Sequence, residues 1–493
     1  MQRREILKVV LAAGVTATPI PALASGRSQM AAAQAIPADA IEMARQIRSG
    51  EISARALVER AVGRVQAAQA RLNFLVTPDY ERALERVPRE EGAVSLPTLI
   101  KDLDDQAGLP TRRGSLALAG AAPARASSPF ADALFQMGAN SLGKSATPEF
   151  GLSPVTEPLS SGPVLNPWNP TLSTGGSSGG AAAAVAAGVV PFAHASDGGG
   201  SIRIPASLCG VFGFKPSRGR SLGSAREDGV TDLVSEHVIS RSVRDSALVL
   251  AALERPGGSG GPSVMPMQAL DRPLRIGVIT GALSGSQPDP ETLSALGASR
   301  LLVEGMGHRV VDVEWPIETG PFIEDFTNLW AMGAAASVDA LREGPGDGAL
   351  ARLDPLTQGL AARGQGVSRL ASVALVGRLS TAKRRYDRLF RDIDVLMTPV
   401  LSRASLPPGL LASASTFEAQ LDILRDLVGY TPLQNVVGAP AMSVPLYWTD
   451  RGLPVGIHFA GRHGDDRLLM SLALALEAAA PWAMRKPELW FGD

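Results

Sequence analysis

The 493-residue chain holds a single cysteine, Cys209. One thiol excludes an intrachain disulfide and any zinc or iron–sulfur site built on several cysteines, and Cys209 reads as a small buried hydrophobe. Aromatic residues are scarce at 5% and charged residues stand at 19%, yet hydrophobic residues reach 45%, which excludes intrinsic disorder. Neither sign of charge dominates. The 47 Lys and Arg against 48 Asp and Glu leave a formal net charge of -1, without the basic surplus that marks a nucleic-acid binder. The five histidines show no metal-ligand spacing. Long apolar runs are missing as well. The run 9–15 is followed by Pro19 and Pro21, too short to cross a bilayer, so no membrane anchor is expected. What the chain has in quantity is Gly (52) and Pro (37), which suits tight turns, close backbone approach and cores of small aliphatic side chains.

Arg3 and Arg4 stand before Ile6-Leu7-Lys8, and Ala22-Leu23-Ala24 has the small-x-small form of a cleavage site. The paired arginines resemble a bacterial twin-arginine export signal. The expectation is a cleaved leader over 1–24, a linker over 25–44 and a periplasmic or secreted mature chain. Beyond it, Ser53 is a plausible helix N-cap before a run in which Leu57, Val62 and Val65 recur at helical spacing. Short apolar stretches at 98–101, 141–144, 274–280, 309–315, 394–400 and 453–460 read as strands. They alternate with helical segments at 130–137, 180–190, 291–306 and 467–479, which predicts an α/β fold with a mixed central β-sheet covered by helices. The Gly/Ser/Pro-rich stretch 256–266 reads as a surface connection, and 45–493 as one domain.

Three motifs compete for the chemistry. Gly138 to Ser145 satisfies the phosphate-loop pattern GxxxxGK followed by Ser or Thr. That pattern needs a strand before it and a helix after it, so that amides and a helix N-terminus face the phosphates; here a helical run precedes and a strand-like run coincides with it. Gly176 to Gly180 fits GxSxG, the nucleophile elbow, but the upstream Asn166-Pro167-Trp168-Asn169-Pro170 is no central strand. The third match is far longer: from Gly175 the chain reads GGSSGGAAAAVAAGVVPFAHASDGGGSIRIPASLCGVFGFKPSRGR. Two glycine-rich turns bearing Ser177 and Ser201 are joined by a small-residue helix and a strand, which brings them to one side of a sheet. Gly198, Gly199 and Gly200 free the backbone to aim consecutive N–H groups, with that of Ser201, at one point, as an oxyanion hole requires.

Here the sequence resembles the amidase signature family. Asp197-Gly198-Gly199-Gly200-Ser201-Ile202-Arg203 is similar to its nucleophile segment, and the likeness extends to Gly143 to Gly151, Phe214-Lys215-Pro216, Gly438 to Ala441 and Gly452 to Gly456. The resemblance implies that family's α/β fold, with helices on both faces of a mixed sheet, and a Ser–Ser–Lys triad. Ser201 would be the nucleophile, Ser177 the bridging serine held by a cis peptide, and Lys101 the base. Ser178, Asp197 and Arg203 would support the site, the last two as an ion pair orienting the nucleophile turn. Two departures stand out: Ser95-Leu96-Pro97 replaces a Gly-Ile-Pro-like element, and Gly198 replaces the usual threonine. No metal and no organic cofactor is needed for such chemistry.

The expected activity is hydrolysis of a small-molecule carboxylic amide through an acyl-enzyme. An esterase or carbamate (urethane) hydrolase with the same triad is the alternative, as acyl transfer tolerates better leaving groups. A glutamyl-tRNA amidotransferase A subunit, a non-catalytic binding scaffold and a nucleotide binder are the remaining readings. The substrate pocket is expected in the variable region 316–420, between helical walls 322–342 and 367–393 joined by a mobile Gly/Ala/Leu-rich connection over 343–366. Such an apolar entrance favours aryl amides over glutamine-type carboxamides.

Overall fold

The computed structural model describes residues 39–492 apart from 224–228, 256, 259–260 and 345–346. The export leader anticipated over 1–24, and the anticipated 25–44 linker as far as residue 38, lie outside the described residues; residues 40–44 are not linker but the start of the helix Ala40–Arg48, with Ala40, Met43 and Ala44 buried. Asp39 and Ser53 open the first two helices among the described residues, Ala40–Arg48 and Ala54–Leu72, by accepting hydrogen bonds from the amides of Glu42 (3.0 Å) and Ala56 (3.1 Å), which satisfies donors that a helix start leaves unpaired. Val58, Ala61, Val65, Ala68 and Leu72 line the inward face of the second helix.

Two sheets position the chemistry. The smaller has Ala139–Ser145 at its centre, antiparallel to Leu75–Pro78 and parallel to Leu96–Lys101. The larger has eight strands, in the order Arg309–Asp312, Arg275–Val278, Val395–Pro399, Pro454–Ala460, Ala441–Trp448, Phe212–Lys215, Ser235–Ser240 and Phe192–Asp197. Its first three strands are parallel and the other pairings antiparallel, so the sheet is mixed. Side chains link the two sheets at the edge strand Phe192–Asp197: Thr98 Oγ1 donates to the Phe192 carbonyl (3.0 Å) and the Lys101 amide donates to His194 Nδ1 (3.2 Å).

Strand alternation explains the helical layers. Val395 and Met397 point into a core with Leu250, Leu469 and Leu476, while Leu396, between them, packs with Leu375 and Tyr386 on the other face. A period of two therefore buries both faces. The helix Gly179–Ala186 is built of glycine, alanine and one valine, and every residue in it is buried. Gly180 has no room for a Cβ, which would stand 2.5 Å from the Ala146 amide.

The segment 343–366 is not a loose connection: Asp347–Leu350 and Pro355–Gln365 are helices. Asp354 caps the second by accepting from the Leu356 amide, and Gly364 lets it lie directly on the Ala331 backbone of the long helix Thr319–Glu343. Composition suggested mobility, but the small residues serve close helix–helix approach.

Candidate active site

The lysine strand Leu96–Lys101 is buried at every position. Its last side chain meets the turn after Asn169–Ser173, and there Lys101 Nζ donates to Ser177 Oγ (2.7 Å), Ser178 Oγ (2.8 Å) and Ser196 Oγ (3.1 Å). No carboxylate oxygen lies within ion-pair distance of it among the described residues. Burial drives its pKa down from 10.5 to about 7, against the weaker pull of Asp197, Asp104 and Glu236. The Gly176–Ser177 peptide bond is cis. Ser178 sits at the start of the helix Gly179–Ala186 and its hydroxyl also donates to the Ser196 carbonyl (3.3 Å).

Ser201 follows the edge strand Phe192–Asp197 in a turn leading to the helix Arg203–Cys209. Asp197 organises that turn: its carboxylate accepts from the amides of Gly200 (2.8 Å) and Ile202 (3.1 Å), and pairs with the Arg203 guanidinium through two contacts of 2.9 Å. Both side chains are fully buried. Arg203, Lys215 and Asn435 hold the Asp197 carboxyl well below the usual carboxylate range, overriding the cost of its burial. Gly200 adopts φ +132, where a Cβ would collide with Thr431 Oγ1, so only glycine serves there.

The Asp197 bonds also revise the oxyanion hole expected from Gly198, Gly199, Gly200 and Ser201. The Gly200 amide is committed to Asp197, which leaves the Gly198, Gly199 and Ser201 amides as the candidate donors. At Gly198 a Cβ would meet only Val234, at 3.6 Å, so the glycine found in place of the usual threonine opens space without moving the turn.

Ser177 and Ser201 line one cleft of about 450 Å³. Its walls are largely apolar: Phe150 and Leu152 on one side, Ile323, Phe326, Leu329 and Trp330 from the long helix on another, and Leu421, Leu424 and Val428 closing it. The first wall was anticipated; the second was placed at 367–393 and is instead the helix Phe417–Leu427 with Val428. The helix Arg369–Leu389 turns Leu375, Leu379 and Tyr386 into the core beneath.

Several contributors went unrecognised in the sequence. Asn435 donates to the Asp197 carbonyl (2.8 Å) and carboxylate (2.9 Å), and accepts from Arg203 (2.6 Å). His458 Nε2 lies 2.9 Å from Arg203 Nη1, and Thr431 Oγ1 donates to the Gly199 carbonyl (2.6 Å). Asp104, His194 and Glu236 cluster beside Lys101. Only Ser196 carried a local signal, being one residue ahead of the quoted nucleophile segment.

The phosphate-loop match is excluded by geometry. Its residues 139–145 form the central strand of the smaller sheet, and Lys144 Nζ is bonded to Asp102 (3.1 Å) and Thr111 (2.9 Å).

A family model described as Amidase matches residues 56–470. The chain is 39% identical over 457 residues to the putative amidase AmiC of Mycobacterium tuberculosis (strain ATCC 25618 / H37Rv), covering 90% of this chain and 95% of that protein. It is 32% identical over 483 residues to the 6-aminohexanoate-cyclic-dimer hydrolase of Paenarthrobacter ureafaciens, covering 92% and 96%. A solved structure of 6-aminohexanoate cyclic dimer hydrolase complexed with substrate superposes with a TM-score of 0.84 at 31% identity over 92% of this chain and 99% of that one. A bacterial aryl acylamidase of the amidase signature enzymes gives 0.80 at 26% identity, over 91% and 97%. On this match of sequence and fold, the chain belongs to the amidase (amidase signature) family and is an amide hydrolase.

Proposed function

We propose that the chain is an exported amidase in which Ser201 forms the acyl-enzyme, Ser177 relays the proton and Lys101 is the base. The observation that carries this reading is Lys101 itself, buried among three hydroxyls with no counter-ion in contact and 2.7 Å from Ser177 Oγ. A lysine so placed is neutral above about pH 7 and has a lone pair to accept a proton. In the forward step Lys101 takes the Ser177 proton as Ser177 takes that of Ser201, and the Ser201 oxygen bonds to the carbonyl carbon. Negative charge then develops on the carbonyl oxygen, where backbone N–H groups of the nucleophile turn would stabilise it; losing one such donor typically lowers the rate about a hundred- to thousand-fold. As the C–N bond breaks, the proton returns through Ser177 to the departing nitrogen. Water repeats the sequence on the acyl-enzyme and releases the acid.

The apolar walls suit an amide with a hydrocarbon or aryl body rather than a glutamine-type carboxamide, in keeping with relatives named for a cyclic amide dimer and for aryl acylamides. Export rests on Arg3-Arg4 and Ala22-Leu23-Ala24; N-terminal sequencing of protein recovered outside the cytoplasm should begin at Ser25. Fluorophosphonate labelling with peptide mapping tests the chemistry. An adduct on Ser201 that disappears in Lys101→Ala is the expected result; labelling of Ser178, or labelling unaffected by that substitution, would overturn the mechanism.

A further inference from the structure

Beside Lys101 two carboxyl groups and an imidazole face one another; Asp104 Oδ2 accepts from Ser128 Oγ (3.3 Å), whereas Glu236 Oε2 has no partner among the described residues. Ligand atoms of Asp104, His194 and Glu236 all lie within 4.8 Å of one another. His194 is 1% exposed and Glu236 9%, and His194 Nε2 and Glu236 Oε2 make no hydrogen bond. Asp104 and Glu236 both line the cleft that contains Ser177 and Ser201. A buried carboxyl oxygen left without a partner is costly, so Glu236 Oε2, in a residue that lines the cavity, points to a ligand that supplies an N–H donor.

The imidazole decides which kind. The Lys101 backbone N–H donates to His194 Nδ1, so the lone pair of the neutral ring is used there and its proton sits on Nε2. A metal would need the reverse tautomer, with Nδ1–H pressed against another N–H, whereas a metal-bound histidine normally donates its second nitrogen to an acceptor. Nε2–H instead points among the carboxyls, 3.3 Å from Asp104 Oδ2. Among the described residues no lysine or arginine forms an ion pair with Asp104 or Glu236. The nearest cationic side chains acting on Asp104, Lys101 and Lys144, are occupied by hydroxyls and by Asp102. Burial raises the proton affinity of both carboxyls, Asp104 to about 6 and Glu236 well above the usual carboxylate range, so near neutral pH the pair shares one proton and presents one negative charge to an otherwise apolar cleft.

We propose that Asp104 and Glu236, braced by His194, form a subsite for an alkylammonium group carried by the amide substrate. The proposal rests on the amide-hydrolase reading of Ser201 and names the substrate class: amides whose apolar body ends in a primary or secondary amine. An ammonium offers two or three N–H donors, enough to bond both carboxyls at once. It also offsets the carboxylate charge that raises the proton affinity of Lys101, so binding the right substrate favours the neutral base.

The test compares p-nitroanilides of ω-amino acids of graded length with straight-chain acyl p-nitroanilides bearing methyl in place of the ammonium. A second series carries the ammonium on the amine side of the bond. Some length in one series should be preferred over its methyl isostere by roughly ten- to a hundredfold in kcat/KM, and that ratio should fall toward unity in Asp104→Asn and Glu236→Gln. Because the ratio is internal to each enzyme, a general loss of activity in a variant does not move it. Equal rates for every pair would overturn the subsite while leaving the hydrolase intact. If neither series is hydrolysed, the amidase reading is what fails; titration calorimetry with hexylamine against 1-hexanol then judges the subsite alone, preference for the amine in wild type but not in Glu236→Gln supporting it and no preference overturning it. Thermal stabilisation by Zn²⁺ or Mn²⁺ that Glu236→Gln abolishes would overturn it in favour of a metal site.

Discussion

Lys101 and Lys144 end neighbouring strands of one small sheet, where Ile100 pairs with Lys144 and Lys101 with Ser145. Both side chains are fully buried, and both have pKa values lowered first by burial. Their partners differ. Lys144 has a carboxylate at 3.1 Å, the equally buried Asp102; Lys101 has only hydroxyls within bonding distance, plus the Ser196 carbonyl at 3.4 Å. A buried charge next to an opposite charge is a structural pair, whereas a buried amine among hydroxyls sheds its proton near neutrality and becomes a base. The counter-ion, rather than depth of burial, separates the proposed base Lys101 from the structural Lys144.

The sharpest way to break this comparison is to replace each lysine by methionine, which keeps most of the volume. Lys101→Met should lower amide turnover at least about a thousandfold, because no other group in contact with Ser177 can take its proton. Its stability at pH 7 should stay within about 2 kcal/mol of wild type, since holding a neutral buried lysine is itself costly and methionine removes that cost. Lys144→Met should do the opposite. Asp102 is left as a buried carboxylate without its cation, a loss of about 3–5 kcal/mol, while the remaining folded enzyme keeps its base. Chemical denaturation and steady-state kinetics on both variants read the two effects separately. Matching losses in the two variants would mean that the counter-ion does not separate the roles of the two lysines.

A second, smaller effect sharpens the assignment through pH. Only neutral Lys101 accepts a proton, so activity should rise as pH climbs through about 7 and should not fall there. Stability moves the same way. The folded pKa lies below the ordinary 10.5, so between about 7 and 10.5 the unfolded chain binds more protons and stability increases with pH. Lys215, buried beside the Pro216 carbonyl and likewise lowered to about 7, contributes over the same window. Lys101→Met should remove only part of the rise, and an unchanged slope would assign the rise to the other buried lysines, Lys215 and Lys144, whose pKa values burial also lowers.

How far the site could be read from sequence follows the same division between local and distant contacts. Ser177, Ser201 and the glycines around them lie in one continuous patterned stretch, and Lys101 ends a short apolar run whose likeness to a known family marked it. The residues that hold the nucleophile turn were not legible, because Asn435 and His458 reach Asp197 and Arg203 across 238 and 255 positions. A lone Asn in a short helix, or a His in a strand, carries no sign of its partner. The phosphate-loop match failed for a related reason: an eight-residue pattern cannot tell a loop from the strand Ala139–Ser145. The misplaced pocket wall rested on a helical segment in the variable region and nothing more. The helices Arg369–Leu389 and Phe417–Leu427 are both one-sided, and only tertiary packing decides which of them faces the cleft.

The smallest expected effect tests whether Lys101 depends on one hydroxyl or on the whole ring of them. Ser178 Oγ accepts from Lys101 Nζ at 2.8 Å, nearly as close as Ser177 at 2.7 Å, yet it opens a buried helix and lies outside the cleft-lining set that includes Ser177 and Ser201. Ser178→Ala removes one of three hydroxyl acceptors, and a neutral hydrogen bond of this kind contributes about 0.5–1.5 kcal/mol. The amine would keep Ser177 and Ser196 as partners, so turnover should fall roughly tenfold or less, with fluorophosphonate labelling of Ser201 retained. A fall as deep as that of Lys101→Met would give Ser178 a share in the proton relay. The two adjacent serines, so alike in distance, would then have to be treated as a single relay.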